Sequence, residues 1–291
     1  MRVRYACFFV ALFLSSAAVA SAQQTGLEKI VESLERDGCV GLESSRVKIC
    51  KYDYVSNGLS VEAVSFRPAG DGPFPGVLLI PGYQRTALDL IPLGVVLARE
   101  GFAAAAVTQP GFGKSQGKAD YVGPNTIRVL TEGFRRLERE PYVDARRMGI
   151  YGYSRGAMAA SLLAVQLDDV RAAVFGAGIY DLRKAYDEVK IEGIRKNIES
   201  ETGMTEEAVR QRSSILRMKD LKCPVLILHG EKDENVPVSQ ALLLRDKLTE
   251  LKKEFELKLF PGRPHSIGAQ DVAASTLDFF KRRLAVAQPK K

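Results

Sequence analysis

The sequence predicts one large α/β domain: a mostly parallel central sheet with helices on both faces. Three observations carry this. A chain of 291 residues, 46% of them hydrophobic, has enough apolar side chains for a full core. After Pro75, short and wholly apolar runs appear (VLLI at 77–80, AAAAV at 103–107, AAVF at 172–175 and VLIL at 225–228). Runs without polar alternation suit strands covered on both faces, and helical stretches lie between them, as right-handed βαβ crossovers require.

The elements follow in order. TGLEKIVESLERD (25–37) places Leu27, Ile30, Val31 and Leu34 at helical spacing, and Gly38 ends that helix. KICKYDYV (48–55) and LSVEAVSF (59–66) flank Ser56-Asn57-Gly58, an antiparallel hairpin with an Asn-Gly turn. Helices are expected at 88–99, 126–140 and 157–167, with a short strand MGIY at 148–151 before the last of them. FELKLF (255–260) alternates apolar and charged residues, which fits a half-exposed strand near the sheet edge. Val272, Ala273, Thr276, Leu277, Phe280 and Leu284 make a closing amphipathic helix. Residues 182–221 leave the sheet as short charged helices, one striped by Ile191, Ile194 and Ile198 and one capped by Thr205. They are expected either to lid the site or to form a surface excursion.

The N-terminus reads as a signal peptide over 1–22. Arg2 and Arg4 precede the apolar ACFFVALFL (6–14), and Ala20-Ser21-Ala22 offers the small-x-small cleavage pattern. The expected organisation is therefore a leader (1–22), an N-terminal helix and first strand (23–60), and the catalytic domain (61–287), with a secreted or periplasmic product. No other run approaches the length of a membrane span, so no stable membrane insertion is expected after cleavage. Loss of Arg2 and Arg4 lowers the net charge of +7 by two. The remaining basic residues are interspersed with acids, as in RKAYDEVKIEGIRK, which excludes a nucleic-acid stripe. In an oxidising compartment Cys39 and Cys50 are natural disulfide partners, joining the N-terminal helix to the first strand. Cys223 opens an apolar strand as a buried thiol. No C-x-x-C pair or His cluster points to a metal or cofactor.

Two stretches match G-x-S-x-G: GKSQG (113–117) and GYSRG (152–156). A nucleophile elbow needs a strand, a sharp turn and an immediate helix with tiny flanking residues. Ser154 meets each demand, between MGIY and AMAASLLAVQL. Ser115 lies in a turn-rich loop with no helix behind it. Of two histidines, His229 ends an apolar strand and reads as structural, whereas His265 sits in a loop (PGRPHSIG) positioned to reach the carboxyl edge of the sheet. Asp233, in HGEKDENVP, is the expected carboxylate partner. Asp181 is its main rival, with Glu231 and Glu234 nearby. Oxyanion donors are expected from the backbone N–H groups of Arg155 and, in PGYQR (81–85), of Tyr83, unless Tyr83 is merely a rim aromatic.

Together these residues resemble the α/β-hydrolase superfamily and, within it, the catalytic domain of the prolyl oligopeptidase family, over about 61–284. GYSRGAM, PVLILHGEKDENVP and PGRPHS stand at that family's nucleophile, acid and base positions. Dienelactone-hydrolase-like and acetyl-esterase-like enzymes share much of the pattern. The sequence departs from many relatives at Pro81 (often His), at Gln109-Pro110 (often Arg) and at Pro264 before His265 (often Gly). The resemblance implies a serine hydrolase forming an acyl-enzyme and acting on a small-molecule ester or a short peptide. Few residues precede the sheet, so the β-propeller of family peptidases is not expected, and the ester reading takes precedence over the stand-alone peptidase. A non-catalytic binding protein on the same fold is disfavoured by the intact triad. Nothing in the chain fixes an oligomeric state.

Overall fold

A computed structural model describes residues 26–43 and 46–284; the signal-peptide expectation at 1–22 lies outside them. One nine-stranded sheet runs through the molecule in the order β1-β2-β3-β5-β4-β6-β7-β8-β9. Helix α1 (26–37) leads in, and Gly38, at φ +73°, turns the chain out of it. Strands β1 (Cys39–Leu42), β2 (Val47–Ser56) and β3 (Leu59–Pro68) pair antiparallel, and Asn57 and Gly58 at φ 48° and 80° make the expected tight turn.

The remaining strands are β4 (Phe74–Ile80), β5 (Ala103–Val107), β6 (Val143–Tyr153), β7 (Val170–Gly176), β8 (Val225–Gly230) and β9 (Phe255–Phe260). From β5 to β9 every pairing is parallel, and β3 joins β5 antiparallel. The apolar runs sit in the middle of this parallel block, each residue buried, because helices cover both faces. On one face the core includes Val129, Phe134, Ala159 and Leu244 of α3 (Pro124–Glu138), α4 (Arg155–Ala164) and α8 (Ser239–Glu250). On the other it includes Leu34, Leu97, Phe279 and Phe280 of α1, α2 (Ile91–Arg99) and α9 (Ala269–Leu284).

One feature departs from the sequence expectation and a second goes beyond it. Strand β1 is an addition, too short for its alternation to stand out, and Cys39 lies opposite Cys50 across the β1–β2 pair. The disulfide Cys39–Cys50 therefore joins two strands rather than the N-terminal helix to a strand. The second is order: β5 lies between β3 and β4, a crossover decided by packing and not by local pattern. β9 closes the sheet as an edge strand, as its alternation predicts. Between β7 and β8 the excursion forms α5 (Leu182–Glu188), α6 (Glu192–Thr202), α7 (Glu206–Arg212) and a 3₁₀ segment (Ser214–Asp220). The Thr205 side chain caps α7 by accepting from the Ala208 N–H.

Candidate active site

Strand β6 ends at Tyr153 and α4 begins at Arg155, leaving Ser154 alone in the turn at φ 55°, ψ −124°. A non-glycine residue seldom holds a positive φ, and here close packing imposes it. A Cβ on Gly152 would lie 2.1 Å from the Gly156 carbonyl oxygen, and one on Gly156 2.2 Å from the Ile80 oxygen. Strand, helix and the end of β4 therefore meet at distances only glycine permits. The Ser154 N–H is tied to the Gly176 oxygen at 2.7 Å, which leaves the side chain projecting from the turn.

The Ser154 Oγ is 2.9 Å from His265 Nε2, and His265 Nδ1 is 2.7 Å from Asp233 Oδ2. A carboxylate only accepts, so Nδ1 carries the proton and Nε2 is free to accept from the serine hydroxyl. The Asp233 side chain is fully buried. Burial opposes its ionisation, but hydrogen bonds from His229, His265 and the Val236 N–H outweigh that and hold its pKa down to about 2. The structure thus brings Ser154, Asp233 and His265 into one hydrogen-bonded chain at the carboxyl end of the sheet. Asp181 stands elsewhere and caps α5 by accepting from the Lys184 N–H at 3.0 Å. Glu231 and Glu234 point into solvent.

Ser154 and His265 line a cavity of about 590 Å³, with Asp233 buried behind them, and its walls also include Gly82, Tyr83, Tyr121, Arg155, Met158 and Val236. The N–H of Arg155 opens α4 and has no intrahelical acceptor. Gly82 packs against Ser154, a Cβ at its position lying 3.4 Å from the serine Cβ, which brings the loop carrying Tyr83 beside the elbow. The Tyr83 ring itself is 38% exposed at the rim and stacks edge-on against Phe112. Tyr83 and Arg155 thus both line the cavity beside a serine hydroxyl that is hydrogen-bonded to an imidazole, an arrangement suited to acyl transfer.

Several contributors escaped sequence reasoning. The Tyr153 hydroxyl donates to the His265 carbonyl at 2.5 Å and accepts from the Ile267 N–H, fastening the histidine loop to the elbow. Buried Gln109 donates to the Pro81 carbonyl at 2.7 Å and anchors the loop that presents Tyr83. His229 is buried as expected, but its Nε2 also lies 3.3 Å from Asp233 Oδ2, the oxygen that meets His265. Its presence as one of only two histidines was the signal available. Arg155 pairs with Glu201 of α6, for which the sequence held no cue.

This fold and hydrogen-bonded serine are those of α/β-hydrolase serine enzymes. The model of the prolyl oligopeptidase family matches residues 96–287, and the chain belongs to that family as a serine hydrolase. The Bacillus subtilis protein called uncharacterized peptidase YtmA is 29% identical over 219 residues, covering 73% of this chain and 84% of that one. Among solved structures, a puromycin-hydrolyzing peptidase of Mycobacterium tuberculosis superposes with a TM-score of 0.72 at 22% identity, covering 83% of this chain. Acylaminoacyl peptidase of Pyrococcus horikoshii gives 0.73 at 20%, covering 84%. The chain spans 40% and 43% of the lengths of those two proteins, and the likeness to them is one of fold.

Proposed function

We propose that the protein is an exported serine peptidase that cleaves short peptides after an uncharged, apolar residue. The observation that carries the reading is the Ser154–His265–Asp233 chain at 2.9 and 2.7 Å, with Ser154 and His265 lining a cavity. His265 Nε2 takes the Ser154 proton as Oγ attacks the scissile carbonyl. The Arg155 and Tyr83 N–H groups receive the oxyanion, and the imidazolium returns its proton to the leaving amine. Water then repeats the sequence on the acyl-enzyme. Asp233 stays ionised, holds the tautomer and balances the imidazolium charge.

The substrate class follows from the cavity walls. Tyr121, Met158, Ile179, Ile194 and Val236 are apolar or aromatic. The charges at the walls are matched within the protein: Arg85 with Asp89 at 3.1 Å and Arg155 with Glu201. A charged side chain entering there would lose its hydration without gaining a free partner.

The ester-cleaving reading yields to the peptidase reading because the relatives carry peptidase names, and one of them, YtmA, is 84% covered by this chain. Brevity therefore does not argue against a peptidase. Export is supported by the N-terminal pattern and by the Cys39–Cys50 bond, which persists in oxidising compartments. The test is turnover of peptide nitroanilides ending in Ala, Leu, Phe or Pro beside p-nitrophenyl esters. Amide cleavage that is lost in Ser154→Ala is the expected result. Brisk ester turnover with no amide cleavage returns the esterase.

A further inference from the structure

Glu201, near the end of α6, joins two parts of the site while lying outside the cavity walls. Its carboxylate accepts from both terminal nitrogens of Arg155, at 3.0 and 2.5 Å, and from the Tyr121 N–H at 2.7 Å. The pair is buried, with side-chain exposures of 4% for Arg155 and 13% for Glu201. The guanidinium lies among three rings, with Tyr83, Phe112 and Tyr121 centroids 5.7, 5.1 and 4.9 Å away. Tyr121 and Val122 both have positive φ, 46° and 60°, unfavourable for such side chains and above all for a β-branched valine. A local turn closes around them, with the Gly123 N–H donating to the Asp120 carbonyl at 2.9 Å, and the excursion braces it: Glu201 takes the Tyr121 N–H, and buried Arg212 donates to the carbonyls of Asp120 and Tyr121.

We propose that Glu201 is a specificity-determining residue of the acyl pocket, acting through position and without touching substrate; this rests on the hydrolase reading above. Arg155 opens α4 directly after an elbow whose backbone is crowded at Gly152 and Gly156, so the Arg155–Glu201 pair pins α6 rather than the reverse. That places Ile194 and Asn197 of α6 as a wall of the cavity and holds Tyr121 as another. The pair thereby limits the size of the acyl group or of the residue before the scissile bond. A fork-on-carboxylate pair is directional, which suits it to setting a wall position.

The test is kcat/KM for p-nitrophenyl esters from acetyl to decanoyl, and for Ala, Leu and Phe nitroanilides, in wild type, Glu201→Ala, Glu201→Gln and Ile194→Ala. In Glu201→Ala the preference for small over large acyl groups falls by on the order of 10-fold, through KM of the large substrates. Glu201→Gln, which keeps the acceptor oxygen, lies between it and wild type, and Ile194→Ala shifts in the same direction. An equal loss on every chain length, or a size preference within about two-fold of wild type in folded Glu201→Ala, overturns the proposal. Should Glu201→Ala not fold, Glu201→Gln is judged by the same criteria. Wild-type protein inert to a fluorophosphonate would instead sink the hydrolase reading beneath it.

Discussion

The two G-x-S-x-G stretches share one serine between two glycines at the same spacing, and the fold uses them oppositely. Ser154 sits at φ 55° between strand and helix, with its Oγ 2.9 Å from His265 in an open cavity. Ser115 is 7% exposed, and its hydroxyl is committed on both sides: it donates to the Thr108 carbonyl at 2.8 Å and accepts from the Glu62 N–H at 3.0 Å. Its loop is a brace. Glu62, itself buried, also accepts from Thr108 Oγ1 and pairs with Lys51, while Lys114 and Lys51 both pair with Glu35 of α1. The contrast teaches that a serine flanked by glycines becomes a nucleophile when strand and helix force it out toward a base. Where a backbone carbonyl and N–H already satisfy it, it becomes a strut.

The comparison breaks most sharply at Ser154→Ala. Loss of about 10⁴–10⁶ in kcat is expected, with little change in thermal stability because an elbow hydroxyl contributes little packing. Steady-state kinetics, fluorophosphonate labelling and a melting curve test both halves. Retained labelling in Ser154→Ala, lost in Ser115→Ala, would reverse the assignment.

Asp233→Asn should lower kcat by about 10⁴ or less, since the base survives in a poorer tautomer. It should also remove a pH dependence that neither serine carries. The folded pKa of Asp233 is depressed, so its contribution, about 2 kcal/mol, is full above roughly pH 4 and lost as pH falls through about 2. Acid unfolding of wild type and variant measures this, and identical curves would refute it.

Reduction of Cys39–Cys50, or Cys50→Ser, should cost about 2–3 kcal/mol for so short a loop, with activity per folded molecule unchanged. Denaturant titration with and without reductant reads it, beside peptide mapping for the bond itself. It calibrates what a purely structural loss looks like. Ser115→Ala should resemble it in kind and be smaller, about 1–2 kcal/mol, because it strands the Glu62 N–H and the Thr108 carbonyl. A large fall in kcat there, with stability intact, would mean that the brace has a role in the chemistry.

Much of this site was legible in the chain itself. Apolar runs such as AAAAV announce strands covered on both faces, because no polar side chain there would find a partner. GYSRG between MGIY and a small-residue helix announces the elbow, because backbone crowding leaves room for nothing larger than glycine. Asp233 and His265 follow from the order of loops along one sheet edge. Tertiary structure alone decided that β5 lies between β3 and β4, that Tyr153 fastens the histidine loop, that His229 shares the Asp233 oxygen, and that Glu201 meets Arg155 across 46 residues of chain. Those contacts join side chains distant in sequence, and each is individually an ordinary tyrosine, histidine or glutamate. Local pattern reports how a segment meets water and its own backbone; it holds no record of which distant segment will fill the space beside it.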